Sequence, residues 1–152
     1  MRVGLISDTH GLLRPEALAL LRGSAHLIHA GDIVDPAILD RLAELAPLTA
    51  VRGNNDHGPW ADRLPETARV TLGGVTIYVI HDLQQLDLDP PAAGIDVVVS
   101  GHSHKPACLR KEGVLYVNPG SAGRRRFSLP ISVGELLLEA GRAEARLIVL
   151  DA

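Results

Sequence analysis

The sequence predicts an α/β protein of two stacked β-sheets with helices on their outer faces. Three observations carry this reading. Short apolar runs alternate with segments of helical spacing in the first third of the chain. The remainder is mainly strand. Three glycine-marked turns, Gly73-Gly74, Lys111-Glu112-Gly113 and Ala140-Gly141, each join two strand-like segments. Strands in such number with few helices bury their apolar faces best as two packed sheets.

Taken in order, Val3 to Ser7 is a short apolar run that reads as a buried strand. Arg14 to Leu21 has helical spacing, with Ala17, Leu18 and Leu21 on one side and Gly23 as the stop. Leu27 to Ala30 is a second buried strand. Asp35-Pro36 opens a helix, an acceptor side chain followed by proline at the first helical position. That helix is expected to reach Ala46, with Ile38, Leu42 and Leu45 on its buried stripe and Pro47 ending it. Leu48 to Arg52 is a third strand, and residues 53–66, with two glycines and two prolines, read as a long loop. Ala68 to Leu72 and Val75 to Ile80 form a hairpin about Gly73-Gly74. Ile95 to Ser100 is a further apolar strand. Ala107 to Arg110 pairs with Val114 to Val117, and Ile131 to Glu139 pairs with Arg142 to Leu150.

The 152 residues suit a single domain, 1–152, with no inserted cap. Hydrophobic residues make up 46% and charged residues 22%, the balance of a globular soluble chain. With aromatics at 3%, the core must be built of Leu, Val, Ile and Ala. The net charge of −3 gives no general attraction to nucleic acid or to an acidic membrane surface, with Arg124-Arg125-Arg126 as the local exception. The single cysteine, Cys108, excludes an intrachain disulfide and reads as a small core residue. The N-terminal stretch turns polar within seven residues, unlike a signal peptide, and no run is long enough to span a bilayer. A cytoplasmic location is expected.

The polar residues that carry chemistry cluster where strands stop. Asp8 and His10 follow the first strand, Gly31-Asp32 the second, and Gly53-Asn54-Asn55-Asp56 the third. His81 follows Val75–Ile80, and His102 and His104 follow Ile95–Ser100. In an extended segment residues i and i+2 leave on one side, so each pair would present its side chains together. Sites in open α/β sheets form outside the carboxyl ends of strands. A set of carboxylates, imidazoles and one amide suits Mn, Fe, Ni, Co or Zn and has too many imidazoles for a Mg or Ca cage. Seven donors exceed what one tetrahedral ion needs and suit two ions sharing a carboxylate, about 3.5–4 Å apart. Gly31, Gly53 and Gly101 precede donors at sharp turns where a side chain would block the turn or the ion.

The series Asp8-Thr9-His10, Gly31-Asp32, Gly53-Asn54-Asn55-Asp56, His81 and Gly101-His102-Ser103-His104 resembles the calcineurin-like metallophosphoesterase superfamily. The short chain, with Asn118-Pro119-Gly120-Ser121 after the histidine pair, is similar to its small bacterial and archaeal phosphodiesterase family, related to vacuolar protein sorting 29. The resemblance spans residues 1 to about 121. It implies a four-layered αββα sandwich. It also implies that Asp8, His10 and His104 ligate one metal, that Asn54, His81 and His102 ligate a second, and that Asp32 bridges them. Two divalent transition-metal ions are implied, Mn²⁺ first and Ni²⁺, Co²⁺, Fe²⁺ or Zn²⁺ as alternatives.

One position departs from the pattern. Many members of the superfamily carry a histidine, implied to protonate the leaving oxygen or to stabilise the phosphate, where this chain has Asn55, with an acidic neighbour that orients it. Asn55 has no proton to donate at a useful pKa, though its amide can hydrogen-bond a phosphate oxygen. Asp56 then lacks its usual partner, and His57 lies two residues beyond the position of a substitute acid. A preference for good leaving groups follows. Asp32, Asn55 and Asp56 are the candidate catalytic residues. His29 reads as a buried support and His26 as exposed, Asn118 to Ser121 as a turn buttressing the histidine loop, and Arg124 to Arg126 as a charged loop that could steer an anion. Lys105 could lend charge near the site, and Trp60 and Leu64 could be core, cleft wall or dimer contact.

The function expected from the resemblance is hydrolysis of a small phosphate-ester substrate, foremost a phosphodiester, by a hydroxide bridging two metals. A phosphomonoesterase or nucleotide hydrolase is a second expectation. A non-catalytic protein scaffold of the same fold is the main rival from a different class, and the full donor set argues against it. An amidohydrolase, which also uses H-x-H, would need a longer barrel with that motif after its first strand. No basic track for nucleic acid and no membrane partner are expected, and a homo-oligomer is left open by the family, which contains monomers, dimers and tetramers.

Overall fold

A computed structural model describes residues 1–150 of the chain. Its elements are β1 (Arg2–Ile6), α1 (Pro15–Leu21), β2 (His26–His29), α2 (Ala37–Ala43), β3 (Leu48–Ala50) and α3 (Pro59–Asp62). They continue with β4 (Thr67–Leu72), β5 (Val75–Ile80), β6 (Val97–Val99), β7 (Ala107–Lys111), β8 (Val114–Asn118), β9 (Ser132–Glu139) and β10 (Arg142–Val149). Two five-stranded mixed sheets result, with orders β10-β9-β1-β2-β3 and β4-β5-β6-β8-β7. Each has a parallel centre, β1-β2-β3 in one and β5-β6-β8 in the other, flanked by antiparallel strands.

The apolar runs dictate this layering. Val3, Leu5 and Ile28 of the first sheet meet Ile77, Val79, Val97, Val99 and Val117 of the second, all essentially inaccessible, and fill the space between the sheets. On the outer face of the first sheet, Ala17, Leu18 and Leu21 of α1 and Ile38 and Leu42 of α2 pack on Leu27, Ile33 and Val133. Gly4 lets α1 approach closely, because a Cβ there would lie 2.7 Å from Leu21 Cδ2. The outer face of the second sheet is covered by the connection after β5. Leu86, Leu88 and Ala93 pack there on Tyr78, Ile80, Val98 and Val114, with one 3-10 turn over Leu83–Gln85. That outermost layer is therefore thinner than the helical layer opposite.

The three expected hairpins form, and their turns share one geometry. Gly73-Gly74, Glu112-Gly113 and Ala140-Gly141 each place two consecutive residues at positive φ, the twist that suits a tight two-residue connection. Asp35 acts as expected at the head of α2: its Oδ1 accepts from Ala37 N–H at 3.0 Å, and Pro36 already has helical dihedrals. The helix is shorter than its apolar stripe implies, ending at Ala43, because Leu45 N–H turns back to the Leu42 carbonyl. The strands Leu48–Arg52 and Ile95–Ser100 also contract, to β3 and β6.

Three expectations need correcting. The stretch 53–66 is not wholly loop, since Pro59 starts the single turn of α3 after Gly58 at φ 102°. Ala61 is buried, and the partly buried Trp60 and Leu64 pack against the core beneath the helical layer. Cys108 is exposed and not a core residue, because β7 is a sheet edge whose five residues all face solvent. His26 is half-buried and hydrogen-bonds Thr49 Oγ1 at 2.8 Å across β2 and β3. Among the described residues no helix is long and apolar enough to cross a membrane.

Candidate metal centre

The carboxyl ends of five parallel-centre strands converge on one side of the sandwich. Asp8 and His10 follow β1, Asp32 follows β2, Asn54 follows β3, His81 follows β5, and His102 and His104 follow β6. The local backbone is not extended there. Asp8, His10, Asp32, His102 and His104 have φ of 53°, 46°, 57°, 70° and 63°. They account for five of the nine non-glycine residues at positive φ among those described. Left-handed backbone is costly for any side chain and tends to be retained where function needs it. It also corrects the expectation that His102 and His104 point the same way as members of a strand. His104 is buried beside Asp8 and His10, whereas His102 is largely exposed and turns to Asn54.

Two groups of donor atoms form. In the first, His104 Nε2 lies 3.4 Å from Asp8 Oδ1 and 3.3 Å from His10 Nε2, and His10 Nε2 lies 3.8 Å from Asp8 Oδ1. Atoms ligating one ion at about 2.1 Å sit roughly 3–3.5 Å from one another, so this spacing fits a shared cation. Asp8 Oδ1 is buried without a hydrogen-bond partner among the described residues, an orphan that such an ion would satisfy. In the second group, Asn54 Oδ1 lies 3.0 Å from His81 Nε2 and 3.3 Å from His102 Nδ1, and His81 Nε2 lies 3.3 Å from Asp32 Oδ2. The same Asp32 oxygen is 3.6 Å from His10 Nε2, so Asp32 stands between the groups. Both Asp8-His10-His104 and Asp8-Asp32-His81 gather donors closely enough to hold a divalent metal.

Surrounding groups fix these donors. His81 Nδ1–H donates to the Ala30 carbonyl at 2.7 Å, leaving Nε2 as the donor atom facing Asp32, the usual orientation of a ligating histidine. Ser7 Oγ–H and His102 N–H both donate to Asp8 Oδ2, at 2.7 and 3.1 Å. Asn118 Nδ2 donates to the Gly101 carbonyl and to Ser103 Oγ, and Ser121 Oγ–H donates to the Asp8 carbonyl, so the Asn118–Ser121 turn buttresses the histidine loop as expected. A Cβ on Gly101 would meet Asp8 Oδ2 at 2.6 Å, and one on Gly53 would run into the Asp32 carboxylate. His29 is wholly buried: its Nδ1 accepts from Gly31 N–H at 3.1 Å, and its Nε2 faces Thr9 Oγ1 at 3.0 Å. It supports the two loops without joining the donor atoms.

Asn55 and Asp56 sit differently from what the motif suggested. Asn55 donates its backbone N–H to Asp32 Oδ1 at 2.9 Å and its side-chain amide to Asp32 Oδ2 at 3.0 Å, so it grips the carboxylate. Asp56 is buried, and both of its oxygens accept backbone N–H groups, from Asp32 and Gly53 on Oδ2 and from Ile33 and Val34 on Oδ1. Asp56 thus clamps the Asp32 loop with both oxygens, which gives it a positioning role in this geometry. Sequence reasoning also overlooked Ser7 and Asp82, whose Oδ2 lies 3.8 Å from His102 Nε2, because neither belongs to a spaced motif.

The electrostatics follow from this crowding. Burial opposes the Asp32 charge, but hydrogen bonds from His81 and Asn55 override it and hold the carboxyl well below the usual range. Burial likewise works against a charged His81, yet the neighbouring Asp32 raises it above the ordinary histidine value. Burial lowers His10, against the pull of Asp32 and Asp8, and the Arg126 charge lowers it further, which brings that arginine loop into electrical reach of the site. Lys105 is exposed. Burial pushes His29 down to about 4.

The chain is similar to known proteins in sequence and fold. A probable metallophosphoesterase of Methanothermobacter thermautotrophicus is 36% identical, over 97% of this chain and 92% of its own. A solved archaeal phosphodiesterase superposes with a TM-score of 0.82 at 25% identity, covering 99% of this chain and 100% of that one. Vps29 of Chaetomium thermophilum shares the fold, with a TM-score of 0.79 at 22% identity, covering 99% and 97%. The family model described as the calcineurin-like phosphoesterase superfamily domain matches residues 1–141, a span that includes every donor loop. With strand-end carboxylates and imidazoles gathered as a divalent metal requires, the chain belongs to the calcineurin-like phosphoesterase superfamily.

Proposed function

We propose that the protein is a dinuclear metal-dependent phosphodiesterase. Asp8, His10 and His104 would hold one ion, Asn54, His81 and His102 the other, with Asp32 shared. The observation that carries this reading is the position of Asp32 Oδ2, 3.6 Å from His10 Nε2 and 3.3 Å from His81 Nε2. Divalent ions bound there supply water activated near neutral pH and positive charge against the phosphate oxygens. The mixed oxygen and imidazole donors suit Mn²⁺, Ni²⁺, Co²⁺, Fe²⁺ or Zn²⁺, and Mn²⁺ is the first to try.

The chain's own residues do the rest by positioning. Asn55 holds both oxygens of Asp32, Asp56 ties down the backbone that carries it, and His29 joins the loops after β1 and β2. Direct attack by water fits the site better than a covalent intermediate. Ser7 donates its hydroxyl to Asp8, and Cys108 lies on the exposed edge strand β7. With an amide at position 55, turned onto Asp32, that position supplies no proton to a leaving oxygen, so esters of acidic alcohols are favoured.

The test is hydrolysis of bis-p-nitrophenyl phosphate by metal-stripped protein, before and after adding each ion. Activity that depends on metal and is lost in Asp32→Ala supports the reading. Failure of folded protein with all five ions overturns it and makes the scaffold role the leading account.

A further inference from the structure

Beside the second donor group, two cavities of opposite character meet at His102 and Asp82. The first, of 490 Å³, is hydrophilic: Arg52, Glu66, Asp82, Gln85 and Asp87 line it beside Asn54 and His81. Of its three carboxylates, Glu66 pairs with Arg52 at 2.9 Å and Asp82 lies 3.8 Å from His102 Nε2, so carboxylates outnumber the pocket's one arginine. The second, of 410 Å³, opens on the other side of the histidine loop. Its lining is mainly apolar, with Leu83, Ala107, Leu109 and Tyr116 beside Gly101, His102 and the charged Lys105. Leu83 and Leu109 are 40% and 61% exposed, and both line this groove. Large apolar side chains left in water at the lip of a polar centre mark a binding surface.

We infer that the site is built for an unsymmetrical phosphodiester, with its apolar ester arm in the Leu83–Leu109–Tyr116 groove and a hydroxylated arm in the Gln85–Asp87 pocket. This rests on the phosphodiesterase reading above and names its substrate class. A diester has two arms that diverge from phosphorus, and here two cavities diverge from the residue that would ligate beside it. A monoester would leave one cavity empty. Carboxylates accept hydroxyl donors and repel a further phosphate, so the hydrophilic arm is a polyol or sugar without additional phosphate. The apolar wall stabilises an aryl or alkyl group by removing it from water and gives little to a methyl group.

The experiment compares glyceryl, benzyl and methyl p-nitrophenyl phosphates, which share one leaving group, on metal-loaded wild type, Leu109→Asp and Leu83→Ser. Both positions are exposed, and circular dichroism with a bound-metal assay verifies the fold and the centre. In wild type the glyceryl ester should have the highest kcat/KM, because the benzyl ester must force one apolar arm into the acidic pocket. Leu109→Asp should raise KM for the glyceryl ester about tenfold with kcat little changed, the size of effect that losing an apolar pocket contact brings. Leu83→Ser should raise it less. A wild type that prefers the benzyl ester, or variants with wild-type KM, would overturn this inference while leaving the phosphodiesterase reading standing. No hydrolysis of any of the three by loaded wild type would overturn both.

Discussion

Asn55 grips both carboxylate oxygens of Asp32, one through its backbone N–H at 2.9 Å and the other through its side-chain amide at 3.0 Å. A histidine here could serve as an acid only by releasing one of these bonds. Asn55→His is therefore expected to raise turnover of alkyl diesters relative to bis-p-nitrophenyl phosphate, at some loss of Asp32 order. Rates on the two substrates measured side by side decide it, and an unchanged ratio counts against the absence of an acid as the limit on poor leaving groups. Asn55→Ala should lower kcat on both alike.

Asp56 accepts four backbone N–H bonds, and an amide in its place would set an NH2 group against some of those donors. Asp56→Asn is expected to destabilise the protein by about 3 kcal/mol, by analogy with other buried charge-assisted networks. Urea unfolding of the metal-free protein measures it. A loss under about 0.5 kcal/mol, the range of an ordinary surface substitution, would remove Asp56 from the scaffold of the site.

Gly101 leaves no room for a methyl group between itself and Asp8. Gly101→Ala should fold, since its backbone φ is not left-handed, but should push the Asp8 carboxylate out of register with His104. Titration calorimetry with Mn²⁺ is expected to show metal affinity reduced at least tenfold, the usual scale for disturbing the support of a ligand. Wild-type affinity would mean that Asp8 is not a donor.

His29 makes the metal-free protein sensitive to acid in a definite window. Its folded pKa of about 4 lies below the 6.5 of an unperturbed histidine, so between those values the unfolded chain binds a proton that the native protein excludes. The stability it contributes is complete above pH about 6.5 and is lost as pH falls toward 4, by at most roughly 3 kcal/mol. His29→Gln, which can still donate and accept, should flatten that part of the stability profile. Chemical denaturation at a series of pH values tests this, and parallel profiles would exclude His29 as the source.

The layout of the fold was legible because its strands are uninterrupted apolar runs and its hairpins carry their turns in the sequence. The donor positions were legible because a strand end followed by Gly-Asp or His-x-His has few other uses. What the sequence hid was orientation. His102 and His104 looked like neighbours on a strand, but two left-handed residues separated by Ser103 send one imidazole inward and leave the other exposed. Asp56 looked like a partner for chemistry because it adjoins Asn55, yet its four backbone donors come mostly from a loop more than twenty residues away. Cys108 looked like core because it is apolar, and no local pattern announces that β7 is an edge.

The left-handed backbone at Asp8, His10, Asp32, His102 and His104 sets folding and function against each other. Each such residue costs about 1 kcal/mol that glycine would not, and the five together approach the net stability of a small domain. A library of this chain screened only for thermal resistance in the absence of metal should therefore drift toward glycine at these five positions. It would yield sturdier proteins that keep the sandwich and have lost the reason for its loops.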